Sequence, residues 1–250
     1  MIEKKDIEQL ASRFNDASPQ EILGYFLDKL GDKLVVASSL GAEDQAITHM
    51  AVQLRSDIRI FVLDTGRLHQ ETYDVLESTR RKYGIRYEVM FPNATAVEAM
   101  VADKGINAFY DSIENRKECC GIRKVEPLNR VLSTADAWVT GLRRSQAVTR
   151  AVLPIVEWDD AHNMIKINPL AAWSEDDVWG YIRDNEVPYN VLHDQGYPSI
   201  GCAPCTRSIE PGEDVRAGRW WWEDPANKEC GLHVVDGKMV RKPANKETFE

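Results

Sequence analysis

The sequence predicts an α/β fold: a mostly parallel, twisted sheet with helices on both faces and a C-terminal arm beyond it. Three observations predict this. Short apolar runs of strand type alternate with helical stretches of about ten to fifteen residues, the signature of a parallel sheet with crossover helices. Glycine-bearing loops follow the strands at 38–41, 64–66 and 141–144, the first two with Ser or Asp and the third with two arginines. After about Val187 the periodicity gives way to a stretch dense in Pro, Gly, Arg and Trp. The 250 residues accordingly divide into N-terminal helices (1–31), an α/β body (32–186) and a C-terminal extension that folds over the site (187–250).

Taken in order, 3–15 and 18–31 read as short amphipathic helices. The second opens on Ser18-Pro19-Gln20-Glu21, an N-cap, a proline at the first helical position and a capping glutamate. Residues 33–37 form an apolar strand that breaks into Ser38-Ser39-Leu40-Gly41, and 42–54 turns helical. The alternation continues with a strand at 58–63, a helix at 68–83, a strand at 86–91 and a helix at 95–104. A strand at 137–140 ends at Gly141, short strands are expected at 152–157 and 164–168, and Ser174 caps a helix over 175–185. No internal repeat and no low-complexity segment is present.

A net charge of −9 argues against a general nucleic-acid binder but leaves room for a small anion held by local arginines. The apolar runs are too short to span a membrane, and MIEKKDIEQL lacks the pattern of a signal peptide. A cytoplasmic, reducing setting is therefore expected. There, clustered cysteines bind metal or do chemistry more often than they form structural disulfides.

In open parallel sheets ligands bind beyond the carboxyl ends of the strands. The 38–44 stretch, strand then Ser/Gly turn then helix, gathers unpaired backbone N–H groups and a helix N-terminus at one point, which suits phosphate or sulfate. It lacks the lysine of a Walker A loop, and the plainer alternative is an ordinary strand-to-helix turn capped by Ser with Glu43 and Asp44 on the dipole. Two further loops favour the anion site. Leu63 and Asp64 end the next strand, and Gly141-Leu142-Arg143-Arg144 brings two guanidiniums to the same edge.

Five cysteines divide into four and one. Cys119 and Cys120 are adjacent, which suits neither a mutual disulfide nor a shared metal centre unless the backbone bends to aim both sulfurs inward. Cys202 and Cys205 form an ordinary chelating turn around Pro204. The residues alone leave an iron–sulfur cluster, a zinc ion and buried structural thiols open, with the cluster ahead of zinc because the tandem pair departs from zinc spacing. Arg123, Lys124 and Arg207 place positive charge beside the pairs, where a cation can bridge to an anionic substrate. Cys230 stands apart in a segment holding Arg216, Arg219, Trp220, Trp221, Trp222, Lys228 and His233. Cationic neighbours would lower its pKa and make it a nucleophile, the alternatives being an inert tail thiol, a packing role for the tryptophans and a surface role for His233.

Together SSLGAED, LDTGRL, KECCGIRK, GLRRSQ, IGCAPCTR, GRWWW and KECGLH, in this order and at these spacings, resemble the assimilatory sulfonucleotide reductases, specifically the iron–sulfur type that reduces adenosine 5′-phosphosulfate. The likeness runs over about 34–233. ECGLH marks that family as a whole, and the CC…CxxC set marks its cluster-bearing branch. The resemblance implies an adenine-nucleotide α-hydrolase-like fold with a modified phosphate loop at 38–44, and a [4Fe–4S] cluster on Cys119, Cys120, Cys202 and Cys205. It implies a substrate site drawing on Ser38, Ser39, Gly41, Ala42, Glu43, Leu63, Asp64, Gly141 and His233, with Lys124, Arg143, Arg216 and Arg219 on the phosphosulfate. Cys230 matches the family's nucleophile, whose attack on the substrate's sulfur expels AMP and leaves an S-sulfocysteine that thioredoxin reduces to sulfite. Thiol–disulfide exchange then supplies both electrons, so the cluster's part is expected to be electrostatic and structural. A homodimer or homotetramer is what the family suggests. Competing expectations are a 3′-phosphoadenosine 5′-phosphosulfate reductase or dual-substrate enzyme, an ATP-using transferase of the same fold, and a cluster- or zinc-bearing binding module. MVRKPANKETFE is assigned no function.

Overall fold

Buried side chains on both faces of the central strands explain why the middle of the sheet is covered on both sides. The computed structural model describes residues 2–146, 150 and 152–224. Among them β1 (Leu34–Ser38), β2 (Arg59–Leu63), β3 (Tyr87–Met90), β4 (Ala137–Val139), β5 (Val156–Asp159) and β6 (Met164–Ile167) form a six-stranded sheet in the order β3-β2-β1-β4-β6-β5. Every pairing is parallel except the terminal β5–β6 hairpin. Leu34, Val36, Ile60, Val139 and Ile167 pack on one face with α1 (Ile7–Arg13), α2 (Pro19–Leu30) and α3 (Ala42–Leu54). Val35, Phe61 and Trp138 point the other way, against Leu128, Val131 and Leu132 of α7 (Glu126–Leu132). A strand with both rows buried reads as a continuous apolar run, which is how β1 and β2 look in the sequence.

The chain leaves β1 toward β2 on one side, while β4 lies on β1's other side and continues to β6. The loops after β1 and β4 therefore diverge and open a crevice between their carboxyl ends, where open α/β sheets place ligands. Helices α4 (Gln70–Tyr83), α5 (Ala94–Lys104) and α8 (Glu175–Asp184) complete the body, α8 closing on α3. Ser18 and Ser174 cap α2 and α8 through reciprocal bonds with Glu21 and Asp177. No helix among the described residues is long and apolar enough to cross a membrane.

Two expectations change, and one unassigned stretch gains its structure. The first helix begins as a 3-10 turn at Lys4–Asp6 and is α-helical only over Ile7–Arg13. The strand expected at 152–157 starts at Val156. Pro154 has no N–H for the ladder, and its carbonyl and that of Ile155 are taken by Asn168. Residues 113–132, to which no element is assigned above, are helical throughout: α6 (Ile113–Cys120), a π-helical segment at Gly121–Val125, then α7.

Candidate active site

Beyond the carboxyl ends of β1, β2 and β4 lies a cavity of about 410 Å³. The loop after β1 forms one wall. Ser39 donates both its amide and its hydroxyl to Asp44 Oδ2, each at 2.6 Å, folding the turn back onto the first turn of α3. Gly41 at the N-cap has no side chain to offer, so the first-turn amides of α3 lack an intrahelical acceptor where Gly41, Ala42 and Glu43 line the cavity. Gly141, at the end of β4, closes directly over Asp44: a Cβ there would collide with Asp44 Oδ1. Glycine is required at 141 because the two loops interlock.

Burial pushes the Asp44 carboxyl up to about 6, against hydrogen bonds from Ser39 and Gly141 that favour its charged form, and neighbouring Glu43 adds to the rise. A carboxyl raised in the folded state favours the fold when protonated. Its contribution is therefore present below about pH 4 and lost as pH rises through about 6. Between about pH 4.5 and 6.5 the denaturant midpoint of the parent protein is expected to fall relative to that of Asp44→Asn, which does not titrate there. Parallel midpoint-versus-pH curves would remove Asp44 as the source.

The loop after β4 departs from expectation in which arginine it offers. Arg143 is buried and committed to Glu43 Oε1 through Nε at 2.9 Å and Nη2 at 2.7 Å, with Nη1 on Ser145. Arg144 turns away, donating to the Leu153 carbonyl at 2.8 Å, and does not line the cavity. Arg150, which the sequence reading passed over, does line it, and donates to Gln146 Oε1 at 2.6 Å. Gln146 in turn reaches Glu43 Oε1 at 3.0 Å, knitting the two loops together.

After β2 the loop serves the cysteines more than the cavity. Leu63 and Thr65 line the cavity, but Asp64 does not. The Asp64 carboxylate accepts from the Gly66 amide at 2.8 Å and the Tyr73 hydroxyl at 2.9 Å, closing an Asx turn at a glycine with φ +70°. The Thr65 hydroxyl sits 3.3 Å from Cys202 Sγ, and the Thr65 carbonyl accepts from Arg123 at 2.7 Å. The Arg67 carbonyl accepts the Ala203 amide at 2.8 Å, tying the Cys202–Cys205 turn to the same loop.

The π-helical turn supplies the bend that adjacent cysteines need. Cys119 and Cys120 end α6 where the backbone widens, and with Cys202 they pack against a buried group formed by Phe109, Cys205 and Trp220. All four thiols are thus in one contact group, drawn from two chain segments. Among the described residues no three His, Cys, Asp or Glu side chains converge on a single metal ion. Burial pushes the Cys205 thiol up to about 12, and Cys202 and Cys120 add like charge. Burial also raises Cys119. Cys202 moves the other way: burial raises it, but Lys124, the Thr65 hydroxyl, Arg219 and Arg123 together bring it below the ordinary thiol value.

Lys124 and Arg219 thereby belong to two places at once, since both also line the cavity, as does Arg216. A second buried feature anchors this region. Arg116, one turn before Cys119, makes a bidentate pair with Glu223 at 2.8 and 2.7 Å, the two side chains being 2% and 3% exposed. Across the cavity Trp179 and His193 meet edge to face at 5.2 Å, an aromatic wall that was not foreseen. Cys230 and His233 lie outside the described residues.

Residues 33–208 match the phosphoadenosine phosphosulfate reductase domain family. The chain is 56% identical over 218 residues to an adenosine 5′-phosphosulfate reductase of Allochromatium vinosum, covering 87% of this chain and 85% of that one. It is 53% identical over 234 residues to the enzyme of that name from Burkholderia cepacia, covering 92% and 93%. Among solved structures, a phosphoadenylyl-sulfate reductase from Candida auris in complex with phosphate superposes with a TM-score of 0.72 at 27% identity, covering 84% of this chain and 98% of the other.

Proposed function

The chain belongs to the phosphoadenosine phosphosulfate reductase family, and from that premise we propose that it reduces adenosine 5′-phosphosulfate to sulfite and AMP. The observation that carries this reading is the double placement of Lys124 and Arg219, on the wall of an anion-type cavity and in the electrostatic field of the Cys202 and Cys205 thiols. The first-turn amides of α3, Arg150, Arg216 and Arg219 surround the space for a phosphosulfate, and the Trp179–His193 wall suits a flat base. Arg143 supports the site indirectly, by fixing Glu43. The carboxylates of Glu43 and Glu175 on the wall disfavour an additional 3′-phosphate.

The four thiols fit a [4Fe–4S] cluster by donor type, by their gathering from two segments into one buried aromatic group, and by the cations facing them. Cys119, Cys120, Cys202 and Cys205 would hold it, and when bound it supplies a fixed negative charge and a brace between the two segments. Lys124 orients the anionic substrate toward Cys230. The Cys230 thiolate attacks the substrate's sulfur, forming an S–S bond as the S–O bond breaks, and the electron pair leaves on the phosphate oxygen of AMP. A thioredoxin-class dithiol then attacks the Cys230 sulfur. Sulfite departs with the S–S bonding pair, and the second thiol of the dithiol resolves the mixed disulfide, so two electrons enter and Cys230 is restored.

Mass spectrometry of anaerobic protein mixed with adenosine 5′-phosphosulfate and no reductant tests this. An SO₃ adduct on the Cys230 peptide, released as sulfite by thioredoxin, is expected. No adduct with this nucleotide but one with its 3′-phosphorylated form would move the substrate assignment. No adduct with either would end the covalent reading.

A further inference from the structure

We propose that Trp220 and Gly201 are positioning residues for the anion cavity, holding the Arg219 guanidinium between them. This rests on the reading of Arg219 as a phosphosulfate ligand and goes beyond it by naming what aims that side chain. Arg219 Cζ lies 4.9 Å from the centroid of the Trp220 ring, and Arg116 Cζ lies 4.6 Å from the same centroid. Arg116 is itself locked by Glu223. At Gly201 an added Cβ would collide with Nη1, Cζ and Nη2 of Arg219, so the guanidinium lies directly against the bare Cα. Gly201, Arg219, Trp220 and Arg116 therefore form one stack that joins the wall of the cavity to the helix carrying Cys119.

The backbone is strained to build it. Trp220 is a bulky residue at φ +42°, a conformation that survives only where surroundings impose it. What imposes it here is a pair of backbone bonds, Trp220 N–H to the Cys205 carbonyl at 3.1 Å and Glu223 N–H to the Trp220 carbonyl at 2.8 Å. The indole is 1% exposed and shares its contact group with the cysteines. A guanidinium held over an aromatic face keeps its N–H groups pointing outward from the ring, where Arg219 Nη1 already reaches the Ile200 carbonyl at 3.5 Å, so the ring orients Arg219 on the cavity wall.

The test titrates loaded, anaerobic protein by calorimetry in a Cys230→Ser parent, with adenosine 5′-phosphosulfate, AMP and neutral adenosine as ligands. In Gly201→Ala the new methyl meets the far end of a flexible side chain, so the fold is retained and Arg219 is displaced. Affinity for the phosphosulfate is expected to fall at least about tenfold, while adenosine binding stays within about twofold. Trp220→Leu should reproduce the selective loss and Trp220→Phe should recover part of it, because the aromatic face returns. If Trp220→Leu does not fold, Gly201→Ala decides alone. Unchanged phosphosulfate affinity in Gly201→Ala, or equal weakening of anionic and neutral ligands, overturns the proposal. Failure of the Cys230→Ser parent to bind either adenosine 5′-phosphosulfate or AMP would overturn the functional reading, whereas a parent that binds both and a Gly201→Ala variant that binds them equally well would overturn the positioning claim alone.

Discussion

Replacing Cys230 by serine is expected to reduce sulfite formation to background, a loss on the order of a thousandfold or more, as for removal of a covalent nucleophile. Four of the five cysteines share one contact group, Cys205 buried in it and Cys119, Cys120 and Cys202 half-buried against it, with cations around them. The fifth follows Asp224 by six residues and Arg219, on the cavity wall, by eleven. Because the arm is folded through Asp224, only those six residues can extend, and they span at most about 20 Å from it. A serine hydroxyl is a far weaker nucleophile at neutral pH, and a sulfate ester on oxygen has no S–S bond for a dithiol to cleave with release of sulfite. Substrate affinity and any bound cluster should be unaffected, because neither draws on Cys230. Turnover within tenfold of the parent would show that another thiol carries the reaction.

What the sequence discloses and what it hides follow the range of the interactions. The Ser/Gly turn before α3 is legible because strand, turn and helix are consecutive, whereas its interlock with Gly141 is not, since the Asp44 side chain that meets it lies 97 positions earlier. The gathering of the four thiols is legible from count and spacing. The bend that lets Cys119 and Cys120 serve one centre is not, since a π-helical turn leaves no periodicity of its own and 113–132 reads as an irregular charged stretch. Arg143 reaches the cavity wall as expected, but its bond to Glu43, a hundred residues away in sequence, is not legible from its neighbours. Arg150 is overlooked for the same reason, as nothing in its neighbours says which loop arginine turns inward. Asp64 carries the right chemistry at the right strand end, yet its local Asx turn and Tyr73 use it first. Local preference won there over the expected ligand role.

The pair least visible in the sequence carries the largest expected effect on stability. Arg116 and Glu223 are separated by 107 positions, and each is nearly inaccessible to water. Glu223→Ala should destabilise the protein by about 3–5 kcal/mol, because removing one member of a buried pair leaves the other charge unpaired in a low-dielectric site. The same substitution would release the segment that holds Trp220 over Arg219, so weaker anion binding should accompany it. Arg116→Met combined with Glu223→Leu separates the two consequences. Exchanging both ions for apolar groups removes the unpaired charge and is expected to recover most of the denaturant midpoint. It should not recover anion affinity, since the anchored guanidinium beside Trp220 is gone. Single variants within about 1 kcal/mol of the parent would mean that water reaches this pair in solution. A double variant that restored binding as well as stability would show that Arg219 needs the indole alone, and that the anchor beneath it serves the fold.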